Sequence, residues 1–292
     1  MTAAEPAQGG DRAVRPSASK RALVIEGGGM RGAHSAGVLD AWWTAGVRFD
    51  AIYGTSAGAC SAAFWAAGQP RFRQVWGDAL HGGRLIRYRN ALGSGAVFDL
   101  QRLIYRIFVQ DYGLDVSAIR RSSSRLYISA TRCRDGSAHL FDCHDPEVDI
   151  LEALHCSAAL PFAHPLPVWY GDEPYADGSL VSPIPVQAAL DAGYDDLWIV
   201  LTRPRGYTMS APRSPWMQRW YYRRFPALAE AILQRYRVYN EQLALAEALE
   251  AEGRARIVRP AAGMALSRVT RHRGRLRAAI AAGGEDGRNS LG

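Results

Sequence analysis

The sequence predicts an α/β fold whose largely parallel central sheet is covered by helices on both faces. Three observations carry this. Short apolar runs alternate with segments of helical periodicity, glycines stand where those runs end, and one of the helical segments is apolar all round, as a buried helix is.

The elements follow in chain order. Residues 1–20 hold Pro, Gly, Ser, Asp and Arg without an apolar run, and read as a disordered tail rather than a secretory signal. Arg21 to Glu26 reads as a buried strand, followed by Gly27-Gly28-Gly29. Met30, Ala33, Gly37, Val38, Ala41, Trp42 and Ala45 then recur at helical spacing, and Gly46 supplies a stop. A second strand through Phe49, Ile52 and Tyr53 leads into Gly54-Thr55-Ser56-Ala57-Gly58 and the small apolar run from Ala59 to Ala67. Residues 69–115, rich in Arg and Gly, read as a surface excursion, partly helical around Leu100 to Val109, serving as an ordinary insertion or as a lid.

Leu126 to Thr131 and Ala138 to Phe141 read as a hairpin around Arg134-Asp135-Gly136, and Pro146 to Leu154 as a helix. A strand is expected at Val168 to Tyr170, with Tyr175 to Ser179 in a loop beyond it. Pro183 to Ala192 reads as a helix capped by Ser182 and closed by Gly193. Leu197 to Thr202 is another buried strand, a long helix runs from Phe225 through Ala246, and Arg256 to Val258 closes the sheet. Residues 21–260 thus form one expected domain, with 261–292 a basic helical extension packed on it or trailing from it.

The 292 residues are enough for one large core, and 48% hydrophobic with 22% charged residues fits a globular protein. The formal charge of +7 suits solubility or an anionic surface, with no nucleic-acid motif beside it. The four cysteines form no CxxC pair, which speaks against a zinc ribbon, and no metal cluster or cofactor is expected. No apolar run reaches the roughly 18 residues of a membrane span. Cytoplasmic residence with reduced thiols is the expectation.

Two glycine-framed motifs carry chemistry. Gly27 to Gly32 follows a strand and opens a helix, so its N–H groups can approach an anion. The spacing also satisfies GxGxxG, with Asp50 at about the distance of a ribose-binding acid, which would suit a nucleotide-binding protein without enzymatic activity. The competing reading is an oxyanion hole for a serine hydrolase. Gly54 to Gly58 is G-x-S-x-G between strand and helix, the context of a nucleophile elbow, with helix capping by Ser56 as the plainer use. A serine needs a base. Of seven histidines only His272 lies late in the chain, as a conventional Ser-His-Asp esterase would require, and it stands in a basic, solvated stretch. Asp177 is the other candidate base, against its plainer use as a turn-forming Asp-Gly.

Taken together, Glu26-Gly27-Gly28-Gly29-Met30-Arg31-Gly32, the GTSAG at 54–58 and Asp177-Gly178 before Ser182-Pro183-Ile184-Pro185 resemble the patatin-like phospholipases, in a bacterial branch. Asp191 to Tyr194, LWIVLT with Arg203-Pro204, Tyr239-Asn240 and Ile257 to Pro260 extend the resemblance over roughly residues 21–280. It implies a three-layer α/β/α sandwich and hydrolysis of lipid acyl esters, with Ser56 as nucleophile, Asp177 as general base and no cofactor. It also implies an oxyanion hole among Gly27, Gly28, Gly29, Met30, Arg31 and Gly32. Gly54, Gly58 and Gly178 support the motifs, and Arg31 either meets a phosphate headgroup or shapes the loop. The family usually has Asp-Gly-Gly or Asp-Gly-Ala where this chain has Asp-Gly-Ser. A positive φ at Ser179 would cost about 1–3 kcal/mol.

Such a substrate implies contact with a lipid surface. Trp216, Arg219, Trp220, Tyr221, Tyr222, Arg223, Arg224 and Phe225 suit an anionic bilayer, but the favoured expectation is a helix entry with the aromatics in the core and Arg outside. The lipid, the acyl position and the oligomeric state stay open.

Overall fold

The computed structural model describes residues 20–81, 85–86, 97–164, 167–264 and 266–292. The expected N-terminal tail, Lys20 excepted, lies outside the described residues.

Eight strands form one mixed sheet: β1 (Arg21–Ile25), β2 (Ala51–Thr55), β3 (Arg125–Arg132), β4 (Ala138–Asp142), β5 (Val168–Tyr170), β6 (Glu173–Asp177), β7 (Asp196–Val200) and β8 (Ala255–Val258). β3, β2, β1, β7 and β8 run parallel, while β4 and β6 pair antiparallel with β3. Alternation along the strands divides two cores. Leu23, Ile25, Ile52, Ile128 and Val200 face one side with α1 (Gly32–Thr44), α2 (Ala57–Ala66), α5 (Ile150–Ala158) and α9 (Arg273–Asn289). Ala22, Val24, Tyr53 and Ile199 face the other with α6 (Val186–Asp191) and α8 (Pro226–Ala251), where Tyr53 stacks on Tyr127 at 4.8 Å. This is the three-layer α/β/α sandwich with a largely parallel sheet that the sequence predicts.

The C-terminal extension is not a trailing tail. α9 lies against α1 at backbone contact: a Cβ on Gly37 would stand 2.0 Å from the Ile280 carbonyl oxygen, and one on Gly283 would stand 2.0 Å from that of His34. His34 Nε2 meets Asp286 Oδ2 at 2.8 Å, and the Trp42 indole donates to Ser290 Oγ at 2.9 Å. His272 accepts from Arg275 N and so caps α9, which gives it a structural place in the stretch read as solvated.

Several expectations need correcting. The helix after β6 begins at Val186 with no side-chain cap. Ser182 instead offers its carbonyl to Thr55 Oγ1 at 2.8 Å. The helix expected from Pro146 runs over Ile150–Ala158, capped by the Asp149 carboxylate. The described parts of the stretch 69–115 are no surface excursion. They bury Trp76, Leu80, Leu85, Phe98, Leu103 and Phe108 in the main core. Two π-helical segments, Val75–Ala79 and Arg102–Asp111, carry Trp76, Leu103 and Phe108; the second coincides with the helix expected around Leu100 to Val109, and what the Arg- and Gly-rich composition hid is that its apolar face docks on the core. Residues 82–84 and 87–96 of the suggested lid lie outside the described residues.

The aromatics around α7 (Pro215–Tyr221) are not in the core either. Trp216 and Trp220 are 71% and 63% exposed, while Tyr222 is buried and Phe225 packs against the same small cluster.

Candidate active site

Ser56 is the single residue between β2 and α2, with φ 54° and ψ −122°. A non-glycine residue at positive φ stores strain, held here by its surroundings. Close packing explains the flanking glycines: a Cβ on Gly54 would lie 2.6 Å from Ala59 Cα, and one on Gly58 would lie 2.4 Å from the Ile25 carbonyl. The Ser56 N–H donates to Ser157 Oγ at 2.8 Å, and the Ser157 hydroxyl donates to the Ser129 carbonyl at 2.6 Å. Ser157 therefore pins the turn to β3. Sequence reasoning gave Ser157 no role, since no motif marks it.

Asp177 is the last residue of β6 rather than part of a loop. Its neighbourhood follows from how β3 shares one edge. β4 pairs with Tyr127 to Thr131 along one side of β3. On the other side β2 pairs up to Thr55 with Ser129, and β6 takes over with Asp177 opposite Ala130. The residue after Thr55 and the end of β6 thus meet, and Ser56 Oγ donates to Asp177 Oδ2 at 2.8 Å across 121 positions. Both residues are buried, Asp177 at 1% exposure. Its Oδ1 accepts from Ser179 N at 2.7 Å, and its N–H donates to the Ala159 carbonyl. A Cβ on Gly178 would lie 2.2 Å from the Ser129 carbonyl, so glycine is needed there for space.

Ser179 carries no strain. Among the described residues only Ser56 and Phe162 combine a side chain with positive φ. Instead, Ser179 offers its carbonyl and its hydroxyl to the Arg235 guanidinium, at 2.7 and 3.2 Å.

The glycine loop is narrower in function than its motif. Gly27 N donates to the Pro183 carbonyl, Met30 N to that of Arg268, Arg31 N to that of Gly28, and Gly32 N to those of Gly29 and Met30. Among the described residues the N–H groups of Gly28 and Gly29 have no partner, and both residues line the cavity that Ser56 and Asp177 line. Gly29 has φ 55°. Arg31 is buried, donates through Nε to Thr202 Oγ1 and lies near the buried Glu26, whose carboxylate accepts from Thr202 N. Burial raises the Glu26 pKa and lowers that of Arg31 to about 10. Asp50 lies at the opposite end of the sheet, with its carboxylate on Arg21 N at the start of β1, whereas the glycines follow the end of β1. It cannot serve a ligand at the glycine loop, and the dinucleotide reading fails on this geometry.

The cavity is lined by the two glycines, Ser56 and Asp177 together with the apolar side chains of Trp76, Leu80, Leu85, Leu103 and Phe108. Cys60 stands beside it as a neutral thiol, pushed up to about 12 by burial and by the Asp177 charge. Five histidines are engaged elsewhere: His34 with Asp286, His155 with His164, His144 with the Ser122 carbonyl, and His139 with Arg132. Among the described residues no group of three His, Cys, Asp or Glu side chains is placed to hold a metal ion, and no helix is long and apolar enough to cross a membrane.

A strained serine, a buried carboxylate bonded to it and two N–H groups without partners among the described residues thus meet at one apolar cavity. The chain belongs to the patatin-like phospholipase family, whose description it matches over residues 23–190. Residues 225–292 match a second family, described as a domain of unknown function (DUF6363). The uncharacterized protein YjjU of Escherichia coli K12 is 29% identical over 212 residues, covering 68% of this chain and 56% of that protein. Among solved structures, VipD of Legionella pneumophila aligns with TM-score 0.49 and 13% identity over 94% of this chain and 66% of its own. The type III effector ExoU, known from Pseudomonas aeruginosa, aligns with TM-score 0.45 and 13% identity over 94% of this chain and 53% of its own. The chain thus spans between about half and two thirds of the length of these relatives.

Proposed function

We propose that the protein hydrolyses carboxylic esters of lipids, with Ser56 as nucleophile and Asp177 as general base. The observation that carries this is the 2.8 Å hydrogen bond from Ser56 Oγ to Asp177 Oδ2 at the mouth of an apolar cavity. Ser56 Oγ attacks the ester carbonyl while its proton passes to Asp177. The tetrahedral oxyanion lies within reach of the Gly28 and Gly29 N–H groups, and α2 begins immediately after Ser56, which adds positive potential. Collapse expels the alcohol, which takes the proton from Asp177, and leaves an acyl-serine. Water then attacks that ester and gives its proton to Asp177. The fatty acid departs as Ser56 recovers its hydrogen. The acyl chain lies against Trp76, Leu80 and Phe108.

An ester panel of rising acyl length tests this with wild type, Ser56→Ala and Asp177→Asn. Hydrolysis of long acyl esters that both changes abolish supports the reading, and turnover that survives Ser56→Ala sinks it.

The substrate would be reached from a lipid surface. Trp216, Trp220 and Tyr221 are exposed, Arg219, Arg223 and Arg224 stand among them, and Phe162 packs on Tyr221 at 5.2 Å. Exposed aromatics with cations suit peripheral contact with an anionic bilayer. Sedimentation with vesicles should rise with anionic lipid content and drop for Trp216→Ala/Trp220→Ala. Equal sedimentation with neutral vesicles would rule the contact out. The four cysteines are buried free thiols, which supports a reducing, cytoplasmic setting.

A further inference from the structure

Four arginines meet beside the dyad without belonging to it. Arg31, Arg203, Arg235 and Arg268 line one open cleft of about 850 Å³, together with Tyr207 and Ser267. They come from the glycine loop, the segment after β7, α8 and the segment before α9. Arg235 and Arg268 also line the Ser56 cavity, so cleft and cavity join at these two side chains.

The four lack counter-ions. Among the described residues none forms a salt bridge with a carboxylate. Arg31 is bonded to the Thr202 hydroxyl, and Arg235 to the Ser179 carbonyl and hydroxyl. Arg203 lies over the Tyr207 ring at 4.2 Å, and its buried Nε has no partner. The Arg268 side chain makes no hydrogen bond, while its carbonyl holds Met30 N. The negative groups nearby are Glu26, behind Arg31, and Asp177, which the Ser56 hydroxyl and the Ser179 N–H already occupy. Four guanidiniums gathered in one cleft, Arg31 buried and the others half-buried, repel one another until an anion arrives, and their planar forks match phosphate oxygens two at a time.

We propose that this cleft binds the phosphate of a lipid headgroup, and that the preferred substrates are acyl esters whose headgroup is net negative. This rests on the hydrolase reading above. The ester at Ser56 would lie between the acyl chain in the apolar cavity and the phosphate against Arg268, Arg203 and Arg235. A choline or ethanolamine headgroup would bring a cation to a cleft lined by no carboxylate. The selected class is therefore phosphomonoester and phosphoglycerol lipids, and their lyso forms, over zwitterionic ones.

The test compares a 1-acylglycerol 3-phosphate, the monoacylglycerol and the acylglycerophosphocholine of one chain length, for wild type, Arg268→Gln, Arg203→Gln and the distant control Arg48→Gln. The read-out is the ratio of kcat/KM between the phosphate ester and each other ester. In wild type both ratios should exceed about tenfold, the weight of a charge-assisted contact. They should fall about tenfold in Arg268→Gln and Arg203→Gln, and stay unchanged in Arg48→Gln. Equal kcat/KM for the three esters in wild type, or ratios untouched by both cleft variants, would overturn the subsite while leaving the hydrolase reading intact. Absence of Ser56-dependent turnover on every ester would count against the hydrolase reading itself. Equilibrium dialysis of the Ser56→Ala protein then decides the subsite alone. The phosphate lysolipid should bind about tenfold more tightly than the monoacylglycerol, and that margin should vanish with Arg268→Gln. Glycerol 3-phosphate or inorganic phosphate binding as tightly as the lysolipid would overturn the lipid assignment in favour of a free-phosphate site. A folding failure of one cleft variant, seen by circular dichroism, leaves the other to decide.

Discussion

The Asp177 carboxylate is held at both oxygens, Oδ2 by the Ser56 hydroxyl at 2.8 Å and Oδ1 by the Ser179 N–H at 2.7 Å. Asn at 177 can keep an oxygen on the Ser179 N–H but cannot take up the serine proton. Asp177→Asn should therefore lower kcat by about 10²–10⁴, the usual weight of a general base, with little change in melting temperature. Ester hydrolysis and thermal melts of the purified variant check both halves.

On the proposed reading Ser56 needs no imidazole. The His144→Ala, His155→Ala and His272→Ala proteins should each label with a fluorophosphonate at rates close to wild type. Loss of labelling in a folded variant would move the base from Asp177 to that histidine.

Gly29 has φ 55°, and a Cβ there would meet the Arg268 carbonyl at 2.8 Å. Gly29→Ala should displace one of the two free N–H groups and reduce kcat by about 10²–10³, as removal of an oxyanion donor does. Wild-type kcat with a displaced loop would assign the oxyanion to other donors.

Gly283 sits against the backbone of α1. Gly283→Ala forces α9 away from α1, an overpacking cost of about 1–3 kcal/mol that a denaturant titration should show. Unchanged stability would mean that α9 contributes little to the core.

Buried histidines predict acid lability. Burial lowers the folded-state pKa of His164 to about 4 from 6.5, and lowers those of His34 and His155 as well. Unfolding releases these rings to protonate, so their contribution is complete above about 6.5, weakens as pH falls and is lost through about 4. Melting temperature should drop between pH 7 and pH 4.5, and less steeply in His164→Gln.

Locally encoded features were legible. The strand–Ser56–helix turn and the glycine loop could be read because tight turns and close backbone approaches demand glycine at set offsets, as Gly54, Gly58 and Gly178 show. The wall of the cavity was not legible as core, because Trp76, Leu103 and Phe108 stand in a stretch rich in Arg and Gly, and neither composition nor a short helical pattern shows which way its apolar side chains turn. The exposure of Trp216 and Trp220 was also hidden, since an aromatic–arginine stretch has the same pattern whether its rings turn inward or outward.

The sequence by itself determined the α/β class, the turn at Ser56 and the glycine loop beside it, because each leaves its residue types at fixed offsets over a few positions. Only the tertiary structure decided which partners these residues have. Ser56 meets Asp177 because β2 and β6 share one edge of β3. The same folding reduces the free N–H groups of the loop to Gly28 and Gly29, and it gathers Arg31, Arg203, Arg235 and Arg268 into one cleft. These are contacts between distant segments, settled by sheet order and helix packing, which no local pattern of residues records.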